Sequence, residues 1–375
     1  MLGEEDMYRF SIAAAAALAV WTTSVDAGGI DRSGQPIGPL FEPGNYVEFS
    51  FRSASPDVSG VGAATGPTPG AATGDSLDGF GLFGTALKFS VNDKIDTAFI
   101  FDQPFGADLA YPPSLYFASG AVARLRSNAF TGIVRYKFND NFSVYGGLRQ
   151  QSMKASVVVP YVAGYTAAGA NDNQLGYLVG AAFERADIAL RVALTYFSPI
   201  EHNLSTVETS ALTPPGGLTS DTTIETPQAI NLDFQTGIAP GTLLFGGVRW
   251  VEWSKFEIAP THFAAIAFGA PLVSFSDYRF TYTLGVGRKL NDRWAIAGQV
   301  VHEPQVGGFA SNLSPVDGYT SVGLGVTYTQ DNMKLQAGVS HTWVGDATTA
   351  LFGVPAGDFS DNTALGFGMK VGFSF

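Results

Sequence analysis

The sequence predicts an all-β protein, a 14-stranded antiparallel transmembrane β-barrel with a short N-terminal hatch-like segment. Two observations carry that expectation. First, six runs of alternating apolar and polar residues break at a few turn-forming residues and resume: Asn92-Asp93, Asn139-Asp140-Asn141, Ala186-Asp187, Ala239-Pro240-Gly241, Asn291-Asp292 and Gln330-Asp331-Asn332. Each break is too short for anything but a hairpin turn. The hairpins are separated by much longer Gly-, Ser- and Pro-rich connections, and short turns at one end with long loops at the other is the organisation of an outer-membrane barrel. Second, only 14% of residues are charged while Gly (45) and Phe (29) are abundant, against roughly 25% charged in an ordinary soluble domain. No stretch after the N-terminus supplies the roughly 20 apolar residues of a spanning helix. Cysteine is absent, so there is no disulfide or thiolate site, and a net charge of -12 without a basic cluster argues against a nucleic-acid partner.

Residues 1–27 read as an export signal: Phe10 to Val20 is an Ala-rich apolar core, and Val25-Asp26-Ala27 resembles a cleavage site. Glu4, Glu5 and Asp6 depart from a positive leading segment, whereas a start at Met7 gives Met-Tyr-Arg before the core. Residues 28–44 form a short plug or a periplasmic tail; Gly and Ser let Gly29 to Gln35 coil inward and place Ile30 in an apolar pocket. Residues 45–375 form the barrel.

Its strands are expected near 45–55, 77–91, 94–102, 122–138, 141–159, 173–185, 188–207, 223–237, 242–258, 277–290, 293–303, 318–329, 332–345 and 361–375. The six tight turns then alternate with seven long connections, and both termini lie on the short-turn, periplasmic side. The clearest strand places Tyr278, Phe280, Tyr282, Leu284 and Val286 on one face and Arg279, Thr281, Thr283 and Gly285 on the other. A sandwich would produce the same alternation. Aromatics at strand ends (Tyr136, Phe138, Phe142, Phe183, Tyr278, Phe280, Trp294) instead suit the interfacial girdles of a membrane barrel. The last strand alternates Leu365, Phe367, Met369, Val371 and Phe373 with small or polar residues and stops on Phe375. This resembles the terminal signature read by the barrel assembly machinery.

Three segments resemble the long-chain fatty acid transporters of the outer membrane, the FadL type: Thr226 to Phe234 followed by Val248-Arg249-Trp250-Val251-Glu252-Trp253-Ser254, then Tyr278 to Trp294, and Asp102-Gln103-Pro104-Phe105-Gly106 with Tyr111-Pro112. The resemblance implies a monomeric barrel plugged by an N-terminal hatch. It also implies passive uptake of long-chain fatty acids or similar hydrophobic compounds, aromatic hydrocarbons included, by binding outside, passage through a lumen pocket and lateral release at an inward kink of the third strand. The segment preceding the first strand, Gly28 to Gly44, is shorter than that family's hatch. The alternatives are a general or substrate-selective porin and a structural or adhesion barrel.

By alternation the lumen face carries Glu48, Arg52, Lys88, Asp96, Arg135, Lys137, Arg149, Arg191, Asp233, Arg279, Lys289 and Lys370. A carboxylate ligand would favour arginine, which makes Arg149, Arg249 and Arg279 the candidates. Apolar walls are expected from Phe101, Phe105, Leu109, Tyr111, Leu115, Tyr116 and Phe117 in the connection after the third strand. Pro104 removes a ladder hydrogen bond and is expected to end the third strand; alternatively Asp102, Gln103 and Pro104 form a lateral-gate kink. The four histidines, His202, His262, His302 and His341, show no metal-ligand spacing, so neither a metal, a cofactor nor an enzymatic role is expected. The expected partners are hydrophobic small molecules, outer-membrane lipid and lipopolysaccharide.

Overall fold

The computed structural model describes residues 30–375; the expected export signal and its start at Met7 lie outside the described residues. The sheet closes on itself as a 14-stranded antiparallel barrel. Its strands are β1 (Tyr46–Asp57), β2 (Phe80–Asn92), β3 (Ile95–Asp102 and Gly106–Ala110), β4 (Val122–Lys137), β5 (Phe142–Val159), β6 (Tyr165–Arg185) and β7 (Leu190–Phe197 and Ile200–Thr209). They continue as β8 (Leu218–Thr226 and Ala229–Ala239), β9 (Thr242–Val251), β10 (Arg279–Lys289), β11 (Trp294–Glu303), β12 (Tyr319–Gln330), β13 (Met333–Val344) and β14 (Thr363–Ser374). Closure comes from β1 on β14, in register from Tyr46 opposite Ser374 to Asp57 opposite Thr363.

The six short turns fall where the sequence places them, and three of them share a device. Asn92, Asn139 and Asn291 each turn a side-chain oxygen onto two following main-chain N–H groups, those of Lys94 and Ile95, Asn141 and Phe142, and Arg293 and Trp294. A band of the outward face is apolar: Phe99, Phe130, Leu148, Leu284, Leu324 and Leu365 are all exposed. Aromatic pairs sit near the strand ends, among them Tyr136 with Phe138, Phe142 with Phe183, and Trp294 with Tyr328, at centroid separations of 5.2, 4.8 and 4.8 Å. The inward charges largely pair with one another, as Lys88 with Asp96 and Lys370 with Glu48.

Three strand extents differ most from expectation. β6 begins at Tyr165 rather than near 173 because small and polar residues 166–174 continue the ladder beyond the apolar zone. β9 stops at Val251, where the chain leaves the wall: Trp253–Lys255 makes a 3-10 turn that drives Trp253 and Phe256 into the lumen. β3 does not end at Asp102 but resumes after a break. The long-loop end carries a four-stranded sheet of Gly60–Gly62, Phe309–Ala310, Ala347–Leu351 and Val354–Phe359, and a short helix, Thr261–Ile266.

Candidate functional site

Pro104 has no N–H to give the ladder, and the wall breaks there. Against β4, four steps of β3 from Asp102 to Gly106 oppose three steps from Ala129 to Arg126, so β3 carries an extra residue and bulges inward. Against β2 the consequence is larger: pairing stops at Thr85 opposite Phe101 and returns only as a bridge between Leu77 and Leu109. Across this fissure the Phe83 N–H donates to the Gln103 side-chain oxygen at 2.9 Å instead of to a main-chain carbonyl. The strand thus ends beside Pro104 on its β2 side, while against β4 the chain resumes at Gly106, so Asp102, Gln103 and Pro104 form a kink.

The N-terminal segment supplies the main-chain partners the kink lost. The Arg32 N–H donates to the Pro104 carbonyl at 2.7 Å, and the Gly106 N–H donates to the Ile30 carbonyl at 2.8 Å. Arg32 lies in the fissure itself: its Nε donates to the Gly106 carbonyl at 2.9 Å, its guanidinium sits 3.3 Å over the Phe80 ring of β2, and Nη2 is 3.5 Å from Asp108. Further along, the Ser33 hydroxyl donates to Asp102 Oδ2 at 2.5 Å, on the same carboxylate that Arg149 holds. Asp31 and Gln35 accept from Arg249 at 2.6 and 3.1 Å.

Two spaces flank this segment. On the long-loop side is a cavity of about 60 Å³ lined by apolar groups, including Ile30, Ala107, Leu125, Leu204, Ile224 and Phe256. Among the described residues its single charged lining residue is Arg124, which Asp78 and the Leu109 carbonyl hold. On the other side is a polar chamber of about 360 Å³ with Arg52, Arg191, Asp233, Arg249 and Glu303 in its wall.

All three candidate arginines are engaged internally: Arg149 with Asp102, Arg249 with Asp31, and Arg279 with Asp317 at 2.6 Å. Phe101 faces outward, its ring 4.8 Å from that of exposed Phe130, because the kink begins one residue after it and leaves its alternation unchanged. Phe105 does turn into the lumen, its ring 5.9 Å from Trp253. Leu109, Tyr111, Tyr116 and Phe117 pack in the cluster over the barrel mouth, with the Tyr111 hydroxyl donating to the Asn312 carbonyl, whereas Leu115 is exposed. Sequence reasoning missed Arg32, Asp108 and Trp253 as parts of the site. The recurrence of aromatics at Trp250, Trp253 and Phe256 around the end of β9 is a signal for Trp253, but nothing local pairs Arg32 with the kink, whose residues lie seventy or more positions away.

The model of a family described as outer membrane protein transport protein (OMPP1/FadL/TodX) matches residues 73–375. A Pseudomonas aeruginosa FadL homologue superposes with a TM-score of 0.73 at 17% identity, over 95% of this chain and 99% of that one. The toluene transporter TodX of P. putida gives 0.63 at 10% identity over 96% and 99%, and the Ralstonia pickettii toluene transporter TbuX 0.61 at 11% over 88% and 90%. None of the curated proteins compared matches the chain.

Proposed function

Since the chain belongs to the outer-membrane transport proteins of the FadL/TodX family, we propose that it carries small uncharged hydrocarbons, the monoaromatic class foremost, into the cell without an energy source. The ligand is taken up at the long-loop end, rests in the apolar cavity and leaves sideways through the fissure between β2 and β3 into the bilayer. Short turns and both ends of the barrel face the periplasm, and one chain suffices because the lumen closes within it.

The observation that carries the substrate class is the cavity's wall. Apolar lining rewards an apolar ligand, and the only charged residue there among the described residues, Arg124, is already held by Asp78. A carboxylate would lose its hydration without gaining a partner. The toluene transporters among the similar structures accord with this class. One feature favours a second reading: the polar chamber behind the N-terminal segment carries Arg52, Arg191 and Arg249, and it suits a fatty acid whose head passes the segment while its tail stays in the cavity.

The N-terminal segment acts as the gate. Pairing with the kink occupies its main-chain groups, and Arg32 bridges β2 and β3 where the ladder is missing. A Cβ built on Gly106 would lie 3.5 Å from Arg32 Cγ, so R32C/G106C places two sulfurs within bonding range in a chain with no other cysteine. The test measures initial uptake of labelled toluene and labelled oleate by cells whose own transporters for these are deleted. Toluene uptake that falls on oxidation of R32C/G106C and returns on reduction supports the proposal. Oleate uptake alone would replace the substrate class with the second reading, and indifference to the disulfide would refute the gate.

A further inference from the structure

The barrel wall is broken a second time, between β6 and β7. These strands pair from Arg185 opposite Leu190 to Leu178 opposite Phe197, and again from Gly169 opposite Thr206 to Thr166 opposite Thr209. Past one main-chain bond at its lower end, from the Ser198 N–H to the Tyr177 carbonyl at 2.9 Å, the stretch between is a seam without ladder pairing. The register also slips here between β5 and β6: Met153 opposes Asp172 but Ala155 opposes Gly169, so three steps face two. The bulge swings Asp172 into the seam, where its Oδ2 lies 3.1 Å from His202 Nδ1 and accepts from the Asn203 N–H at 3.2 Å. At the lower end the Ser198 hydroxyl accepts from the Tyr177 N–H at 2.9 Å. Side-chain oxygens thus replace main-chain carbonyls, the same device that Gln103 provides at the kink.

Behind the seam lies the apolar cavity: Gly169, Leu204 and Thr206 line it on this side, Ala107 and Leu125 on the kink side. Thr222, also in the lining, has a buried hydroxyl without a partner. Outside, the seam opens just on the long-loop side of exposed Tyr177, whose ring is 6.1 Å from that of Tyr196. Tyrosines at that position mark the membrane interface. The outward residues of the upper seam, Asn171, Asn173, Glu201, Asn203 and Ser205, are exposed and polar, while Leu175 and Tyr177 are exposed at its lower end, so the seam opens mainly to the headgroup zone, with its lower edge at the hydrocarbon. Backbone groups facing hydrocarbon need partners within the protein, which Gln103 and the N-terminal segment supply at the kink; the upper seam, facing headgroups, is less constrained.

We propose that the seam between β6 and β7 is a second lateral portal, through which uncharged apolar molecules already partitioned into the outer leaflet enter the cavity directly, with Asp172 and His202 as its latch. This rests on the transport reading above and adds an entrance to it. Leaflet-borne molecules then bypass the loops, move through the cavity and leave at the kink.

A disulfide tests it. A Cβ built on Gly169 lies 3.2 Å from Leu204 Cβ, and the atoms it would crowd belong to the Leu204 side chain, which G169C/L204C removes. The separation is a little below the usual Cβ to Cβ distance across a disulfide. Initial uptake of labelled naphthalene is measured in intact cells carrying G169C/L204C, with disulfide formation read by gel mobility before and after dithiothreitol. The reduced form of the same protein serves as its own control for folding. Several-fold slower uptake in the oxidised form, restored by reductant, is expected, and D172A should accelerate uptake. Equal rates in the oxidised and reduced forms would overturn the portal. The kink lock R32C/G106C separates the two proposals: if it blocks uptake while the seam lock does not, only the portal fails; if neither has an effect, lateral passage itself fails.

Discussion

Asp102, the last residue of β3 before the kink, and Arg149 of β5 meet over the lumen face of β4 in a two-point ion pair, Nη2 lying 3.0 Å from Oδ1 and 3.1 Å from Oδ2. The same carboxylate accepts from Ser33, so a single buried group joins the wall, the kink and the N-terminal segment.

Removing the arginine alone leaves a buried carboxylate without its cation. R149M should lower stability by about 3–5 kcal/mol, the range for breaking a buried pair by deleting one partner. The double variant R149M/D102N should recover part of that loss. Urea unfolding in detergent checks both, and a double variant no more stable than R149M would show that the pair is not the cause.

Arg32 predicts an electrical phenotype. With its guanidinium over Phe80 and its Nε on the Gly106 carbonyl, it fills the space where β2 and β3 are unpaired. R32A should raise the frequency of brief ion-conducting openings in planar bilayers with little change in barrel stability. R32K should behave nearly like R32A, because an ammonium keeps the charge but has neither the planar face nor the fork of donors. Wild-type conductance in R32A would dismiss it as a gate element.

How much of this was legible beforehand differs by element. Strand number and turn positions follow from period-two alternation and from Asn at turns such as Asn291, both local properties. The inward charges follow from alternation too, but their partners do not: Arg149 and Asp102 are 47 residues apart, and the arginine alone looks like a site for a ligand carboxylate. Pro104 is visible as a ladder breaker, yet whether a strand ends or resumes depends on whether another segment supplies the missing hydrogen bonds. That segment, Ile30 to Ser33, bears no local mark of the task. The seam at Asp172 was hidden for the same reason, since a bulge is a relation between two strands.

Trp253 should behave as a pillar of the lumen. It is almost wholly buried, with the rings of Phe105, Phe256 and Phe275 at 5.9, 5.6 and 5.4 Å. W253A should cost about 3–5 kcal/mol and should also release Phe105, so uptake and stability change together. W253F, which keeps an aromatic body, should lose less of both in the same unfolding and uptake assays.

The cluster over the barrel mouth should be sensitive to alkali. Burial holds the Tyr111 hydroxyl well above the ordinary tyrosine range, with the neighbouring Tyr116 and Tyr161 adding to the effect. In the unfolded chain this tyrosine ionises near pH 10. A raised folded value means the stabilising contribution is complete below that point and declines as pH rises above it towards the folded value. Tyrosinate absorbance should therefore rise in two phases, with a late phase that Y111F diminishes. A single phase near pH 10 would contradict the burial of Tyr111.

Phe375 separates assembly from stability. Its N–H donates to the Asn45 carbonyl at 3.0 Å, and its ring lies 6.2 Å from that of Phe89 on the outer face, largely exposed. A side chain already turned to the lipid loses little on truncation, since hydrocarbon outside replaces the contact it had. F375A keeps the main-chain bond to Asn45 and should leave the unfolding midpoint of purified protein almost unchanged. If the terminal aromatic is what the assembly machinery reads, the same variant should reach the outer membrane more slowly in pulse-chase experiments, with unfolded chain accumulating in the periplasm. Normal assembly together with a lowered midpoint would instead make Phe375 a packing residue of the β1 and β14 closure.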